Sequence, residues 1–458
     1  MTKRSRDLTT GNIAPMLARL TWPMIFGMLG MVVFNLADTY FIGKVGVDEL
    51  AAIGFAFPVV MLVGSLGIGM GIGTSSLISR MIVTEDRLEV RRYATEAIIL
   101  ALGIIILFVT AGHLTIYPLF RAMGASEKLL PLIYNYMHIW YWGMIFVMVP
   151  MVGNNIIRST GDTFTPGMIM LVSAIINIIM DPILIFGWGP IPAMSLKGAA
   201  LATVFGRATG MMVTFYILIR REKLLTLSIP GIEHVLNTWK KIAYVAGPAT
   251  LAILISPLSI GIITRIISKF GEEAVAAFGV VSRIEMFALM VVHALGSVMI
   301  IFAGQNWAAG KIVRLNKGYK LSAGFSFGYG VMVLMVFGTL AQPVASIFSD
   351  NANVIGIAAA YMKIVAFSYG FHGIMMSSVS ILNGINKPFR ATAITFTRML
   401  VLYVPLAWIT SDIYGIKGVF WSAFTANITV GILAFIWIST IICKKQKVLE
   451  PKAEFSGI

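Results

Sequence analysis

The chain of 458 residues predicts an all-α polytopic membrane protein, with twelve transmembrane helices arranged as two six-helix lobes around a central cleft. Three observations carry this. Only 12% of the residues are charged and 58% are hydrophobic, whereas a soluble domain carries about 25% charged residues. Apolar runs long enough to cross a bilayer, about twenty residues each, recur twelve times along the sequence. A set of residues also returns in one register, 225 positions later.

The apolar runs lie near 15–41, 51–80, 93–119, 129–156, 166–188, 197–219, 240–268, 274–303, 319–347, 353–382, 390–411 and 418–442. Basic residues sit at their ends and mark the sides. One set of loops carries Lys3, Arg4 and Arg6, then Arg87, Arg91 and Arg92, and then Arg220, Arg221 and Lys223. The same set continues through Lys311, Arg314, Lys317 and Lys320 to Lys444, Lys445 and Lys447, while the alternate loops hold far fewer. Positive-inside bias therefore predicts that both termini are cytoplasmic, as an even number of spans requires.

The repeat is read from several matches at once. Lys44-Val-Gly46-Val-Asp48 returns as Lys269-Phe-Gly271-Glu-Glu273, Pro23 meets Pro248, and Tyr136-Met137 meets Tyr361-Met362. Six spans per half make the halves parallel repeats about an axis along the membrane normal. The expected organisation is a first lobe over 1–222, a cytoplasmic linker over 223–239 containing Pro230-Gly231, a second lobe over 240–445 and a tail over 446–458.

Composition also excludes. The formal net charge of +15 does not indicate nucleic acid, because the basic residues cap apolar runs instead of lining one face. A single cysteine, Cys443, supports neither a disulfide framework nor a cysteine metal cluster. No signal peptide is expected, since residues 1–11 are polar and no cleavage signature follows the first apolar run. The glycine-rich run Gly64 to Gly73 lies inside an apolar span and lacks Gly-Lys-Ser/Thr, so it reads as close helix packing and not as a nucleotide loop. With no other Walker-type motif, ATP is not expected to drive the protein. No enzyme chemistry, organic cofactor or metal-ligand spacing is expected.

The residues that stand out are acids within spans. Asp38 lies in the apolar stretch Leu17 to Ile42, with Asn35 one turn earlier. A carboxylate at the centre of a span costs roughly 2.5–3.5 kcal/mol on insertion scales, so it needs a partner, a cavity or a task. Asp181 ends a polar stripe, Ser173, Asn177 and Asp181, spaced four apart on one helical face and followed by Pro182. At about 1.5 Å per residue, Asp38 and Asp181 each lie roughly 10 Å below the outer surface, in a layer with Tyr136 and Thr203. That layer is the expected site of a coupling proton or sodium ion. The competing reading makes both acids structural, paired with a basic residue such as Arg207, one turn deeper than Thr203. Neither acid has a counterpart in the second half. There the ionisable residues within spans are Arg283, Glu285, Lys363 and Arg398, read either as structural pairs or as cavity lining, while His293 and His372 are read as helix-packing residues and not as coupling groups. Pro23, near the start of the first span, would let that helix bend.

At these residues the chain resembles the multidrug and toxic compound extrusion (MATE) family. The resemblance covers roughly 12–443 and rests on Asp38-Thr-Tyr-Phe-Ile-Gly43, Leu50-Ala-Ala-Ile-Gly54, Arg158-Ser-Thr-Gly161-Asp162 with Pro166, and Lys197-Gly198-Ala-Ala200. It is most similar to the DinF-like bacterial branch, whose coupling acids lie in the first lobe. The resemblance implies a secondary active multidrug antiporter of the bacterial cytoplasmic (inner) membrane. Such a protein exports organic, often cationic and amphipathic compounds in exchange for H+ or Na+, by alternating access. It assigns the cation site to Asp38, Asn177 and Asp181 with Tyr136 and Thr203. The second-lobe acids of the NorM-like branch have no match here. The expected partners are small organic substrates, H+ or Na+ and the bilayer, and a monomer is the expected state. A lipid-linked precursor flippase of the same superfamily is the alternative, for which Arg207, Arg283, Lys363 and Arg398 would line a cavity for a pyrophosphate head group.

Overall fold

The computed structural model describes residues 7–228 and 231–454. Lys3, Arg4, Arg6 and Pro230 therefore lie outside the described residues. Apart from a single antiparallel bridge between Trp188 and Ile191, the described chain is helical.

The elements are α1 Ile13–Val45, α2 Val47–Thr84, α3 Arg87–Ala122, α4 Leu130–Gly143, α5 Ile145–Ser159, α6 Phe164–Phe186, α7 Ser195–Tyr216 and α8 Ile232–Ile267. They continue as α9 Glu272–Ala308, α10 Ile312–Ser346, α11 Ala352–Val365, α12 Ser368–Gly384, α13 Pro388–Phe396, α14 Val404–Tyr414 and α15 Ile416–Glu454. Among the described residues, eleven stretches are long and apolar enough to cross a membrane. The pair α11 and α12, bent by 60°, makes a twelfth if it counts as one span. The protein is a multi-pass membrane protein. Each expected apolar run falls on one of these spans.

Two boundaries differ from the sequence expectation. The seventh span begins at Ile232, well before 240, because Glu233 opens a helix whose first turns already pack inward at Val235 and Thr238. The connection before it is pinned and short: Arg91 donates to the Leu225 carbonyl at 2.8 Å and Arg87 to that of Glu222 at 3.0 Å. At the other end, α15 runs through the expected tail as far as Glu454.

The chain divides into two compact units. One comprises Trp22–Gly247; the other comprises Leu8–Thr21 together with the chain from Pro248 onward. The divisions fall within α1 and within α8, next to the repeat partners Pro23 and Pro248, and not in the connecting segment. Proline removes a backbone donor and frees the carbonyl four residues earlier. In α1 the helix nevertheless continues through Pro23 without a break, from Ile13 to Val45.

In the first unit, α2 packs on α5 through the glycine-rich run: Gly67 meets the Met151 sulfur, Gly71 meets Asn155, and Gly73 lies against the Ile242 carbonyl. Close helix packing is thus what these glycines do. In the second unit a strap at Leu8 to Gly11 is held by side chains of α9 and α10. Gln305 accepts from the Leu8 amide at 3.2 Å, Asn306 donates to the Leu8 carbonyl at 3.1 Å, and Arg314 donates to the carbonyls of Leu8, Thr10 and Gly11.

Candidate cation-binding site of the first unit

Small residues on α7 set the site. Gly198, Ala202, Gly206 and Gly210 repeat every fourth position and form one stripe. A Cβ on Gly206 would stand 2.7 Å from the Ser173 carbonyl, and one on Gly210 would stand 2.5 Å from the Ser173 hydroxyl. The stripe therefore lets α7 approach the Ser173–Asn177–Asp181 face of α6 at backbone distance. On the other side of α6, Gly27 and Gly30 of α1 lie against Gly167, Leu171 and Ala174. Three helices meet with little side-chain bulk between them, and the polar groups of α6 are enclosed.

Asp181 has no solvent exposure, and Asn177 and Ser173 are buried. The amide orientation that satisfies both ends of Asn177 has its nitrogen donating to Asp181 Oδ2 at 3.0 Å and its oxygen accepting from the Thr203 backbone N–H at 3.1 Å. Asp38 enters from α1 with a buried Oδ1 that has no hydrogen-bond partner. Its charge bears on Asp181, and the charges of both acids bear on the buried Tyr136 of α4. Below them is a small cavity lined in part by Phe34, Ser173, Asn177, Thr203, Gly206 and Arg207.

The expected layer thus forms from Asp38, Asn177, Asp181, Tyr136 and Thr203, with Ser173 at the cavity beneath. Two expectations are corrected. Arg207 does not pair with Asp181: its guanidinium lies over the Phe34 ring, 5.3 Å from the centroid. Among the described residues neither acid has an ion-pair partner. Asn35 does not join the group either; it is exposed, because α1 buries Phe34 and turns the next residue outward.

A cluster of uncompensated carboxylates with amide, hydroxyl and phenol oxygens suits a proton or a small hard cation. It does not suit a soft metal, and no group of three or more His, Cys, Asp or Glu side chains that could hold a metal forms among the described residues.

Some functional groups escaped the sequence. Glu96 of α3 is 1% exposed, with its Oε1 2.9 Å from His234 Nδ1. It lies just inside the expected third span, beside the charged run Arg87–Arg92, and nothing local in the sequence points to its partner, which is 138 residues away. In the second unit, Arg283 and Lys363 are exposed and unpaired with any acid. Glu285 instead accepts from the hydroxyls of Tyr361 at 3.0 Å and Tyr369 at 2.8 Å. Tyr361 is the repeat partner of Tyr136, so each unit sets this tyrosine beside its own buried acid.

The MatE family profile matches the chain twice, over residues 23–183 and 248–409. The chain belongs to the MATE family. The two matches begin 225 residues apart, at Pro23 and Pro248, which is the offset of the internal repeat. Among curated relatives, a FAD transporter of Shewanella oneidensis is 35% identical over 97% of this chain and 98% of its own length. The multidrug export protein MepA of Staphylococcus saprophyticus is 23% identical over 94% of each chain. Among solved structures, the Vibrio cholerae MATE transporter VcmN in its bent form superposes with a TM-score of 0.88 at 29% identity, covering 94% of this chain and 98% of that one. A Pyrococcus furiosus MOP superfamily transporter, whose binding pocket is described as of reverse polarity, gives 0.88 at 26% identity over 97% and 99%. This MATE protein is a membrane transporter and not an enzyme.

Proposed function

We propose that this MATE transporter exports organic compounds in exchange for an inward-moving cation, H+ or Na+, held at Asp38, Asn177 and Asp181. The observation that carries the reading is the pair of enclosed carboxylates with no cationic partner. Burial without a counter-charge disfavours the ionised form, so the pair gains most from binding a cation. Neutralisation changes the preferred packing of the helices that bear the acids, and a ligand shifts such an equilibrium by its differential affinity for the two states. In this reading the protein lies in a bacterial cytoplasmic membrane with both termini inside, and Tyr136 and Thr203 complete the cation site.

Two substrate classes have support. Relatives named for multidrug export favour cationic, amphipathic compounds. The relative named a FAD transporter, at higher identity, favours a dinucleotide. The second class is favoured by the cations of the spans, since Arg207, Arg283, Lys363 and Arg398 form no ion pair with a carboxylate among the described residues, which suits an anionic substrate.

The test is transport in proteoliposomes under an imposed proton gradient and, separately, a sodium gradient, with a fluorescent cationic dye and with FAD as cargo. Asp38→Asn and Asp181→Asn are expected to abolish gradient-driven movement while each protein remains monodisperse. Wild-type rates in a correctly inserted double mutant would refute coupling through these acids. Movement under neither gradient would favour the flippase alternative.

A further inference from the structure

The second unit contains two breaks in otherwise regular spans, and they converge on one group of side chains. The tenth span bends by 60° between α11 and α12, so α12 begins at Ser368 inside the span. The eleventh span is π-helical over Thr397–Tyr403, between α13 and α14. At membrane depth, irregular backbone persists only where protein buries it or where it lines a cavity, and π segments concentrate at functional sites. Arg398 lies in the π segment, ten residues and roughly 15 Å into its span. His372 lies one turn into α12.

The hydrogen bonds fix what these groups have to offer. Arg398 Nη1 donates to Asn427 Oδ1 at 2.9 Å and lies 3.3 Å from His372 Nδ1. A guanidinium can only donate, so Nδ1 must accept, and the imidazole proton sits on Nε2. That Nε2 is buried without a partner, on a side chain only 5% exposed. Arg398 Nε is also buried without a partner. Asn427 is spent on Arg398 and on the Ser368 hydroxyl, to which it donates at 2.9 Å. Two unused N–H donors, one of them cationic, therefore stand at the amino-terminal end of α12, where the helix dipole also favours negative charge. Glu285 is the acid near them, and it is tied to Tyr361 and Tyr369 instead of forming an ion pair with Arg398.

We propose that Arg398 and His372 form an anion-recognition site in the second unit that takes the phosphate groups of an organic phosphate substrate. This rests on the dinucleotide reading above and assigns that reading a location. Arg398 supplies charge and direction, His372 supplies a neutral donor, and Asn427 holds the guanidinium in place. Glu285, held by the Tyr361 and Tyr369 hydroxyls, is the acid that would oppose a bound anion in its carboxylate form.

The experiment is equilibrium binding to the purified full chain in nanodiscs, comparing FAD with riboflavin, which shares the flavin ring and lacks phosphate. Wild type is expected to bind FAD about tenfold tighter than riboflavin, the scale of a charge-assisted hydrogen bond. Arg398→Gln should erase that preference and leave riboflavin binding unchanged, Arg398→Lys should restore part of it, and Glu285→Gln should increase it. A merely structural network would respond to Arg398→Gln and Glu285→Gln with losses of the same sign for both flavins, and that result would overturn the proposal. So would a preserved preference in Arg398→Gln, or no preference in the wild type. If the same purified protein, reconstituted in proteoliposomes, still exports cationic dye under a gradient, the exporter reading survives such a failure. If neither dye nor flavin moves, that reading fails by itself.

Discussion

Gly206→Ala tests whether the close approach of α6 and α7 sets cation affinity. An alanine Cβ there would stand 2.7 Å from the Ser173 carbonyl and 3.1 Å from the Asn177 Cβ, where ordinary contact begins near 3.4 Å. Both neighbours belong to helix backbone or its first side-chain atom and cannot swing away, so the helices must separate by about 0.5–0.7 Å, an overpacking that costs about 1–3 kcal/mol of stability. The Asn177–Thr203 bond, 3.1 Å long, would stretch to about 3.7 Å, beyond hydrogen-bond range. Asn177 then loses the contact that aims its amide at Asp181. A hydrogen bond of this kind contributes about 0.5–1.5 kcal/mol, which is a 2- to 12-fold change in affinity. The assay is dye efflux from proteoliposomes at varied concentrations of the driving cation. The half-saturating concentration is expected to rise by that factor, with the maximal rate less affected. Gly64→Ala is the control, because a Cβ there meets nothing within 4 Å. An unchanged half-saturation in a Gly206→Ala protein of lowered thermal stability would refute the claim that this helix contact tunes the site.

Other outcomes follow from contacts elsewhere. Arg221→Ala removes the guanidinium that meets the buried Asp162 at 2.6 Å and also holds Thr165 at 2.9 Å; with Arg221 partly exposed, a loss of about 1–2 kcal/mol is expected in chemical or thermal unfolding, and no loss would mean that solvent replaces it fully. Pro23→Ala restores a backbone donor in α1 and is expected to slow gradient-driven export without changing the half-saturating cation concentration; unchanged export would show that no bend is needed there. His234→Ala strips Glu96 of its imidazole partner and is expected to destabilise the first unit by about 1–3 kcal/mol, read as a fall in midpoint temperature.

The sequence carried the spans and the repeat because hydropathy and spacing are local signals. It carried the stripe Ser173, Asn177, Asp181 for the same reason, since four-residue spacing puts side chains on one face whatever surrounds them. Depth counted from the outer loops brought Tyr136 and Thr203 to the right layer. What it missed depends on rotation about helix axes. Asn35 is one turn from Asp38, yet α1 meets its neighbours along the Gly27 and Gly30 side and leaves Asn35 outside. Arg207 lies at the correct height for a pair, but the Phe34 ring receives it. The bend before Ser368 has no proline or glycine to announce it. The π segment had a signal in Pro405, which deprives the Val401 carbonyl of its helical donor, but a proline in a span more often reads as a kink than as a change of helix type. The small-residue stripe on α7 was half visible, its Gly198 being part of the motif Lys197-Gly198-Ala-Ala200.

The strap at Leu8 to Gly11 also bears on how the protein is made. Its holding groups, Gln305 and Asn306, follow it by 297 and 298 residues. At about 5–20 residues per second of synthesis, this segment waits roughly 15–60 s for its binding partners. During that interval the start of α1 has no place to dock, although the remainder of the helix can already join α6. The first helix is therefore among the last to be completed. A slow step in biogenesis is expected at this segment, and truncation of the chain before Gln305 should leave Leu8 open to proteolysis while the first unit is already protected.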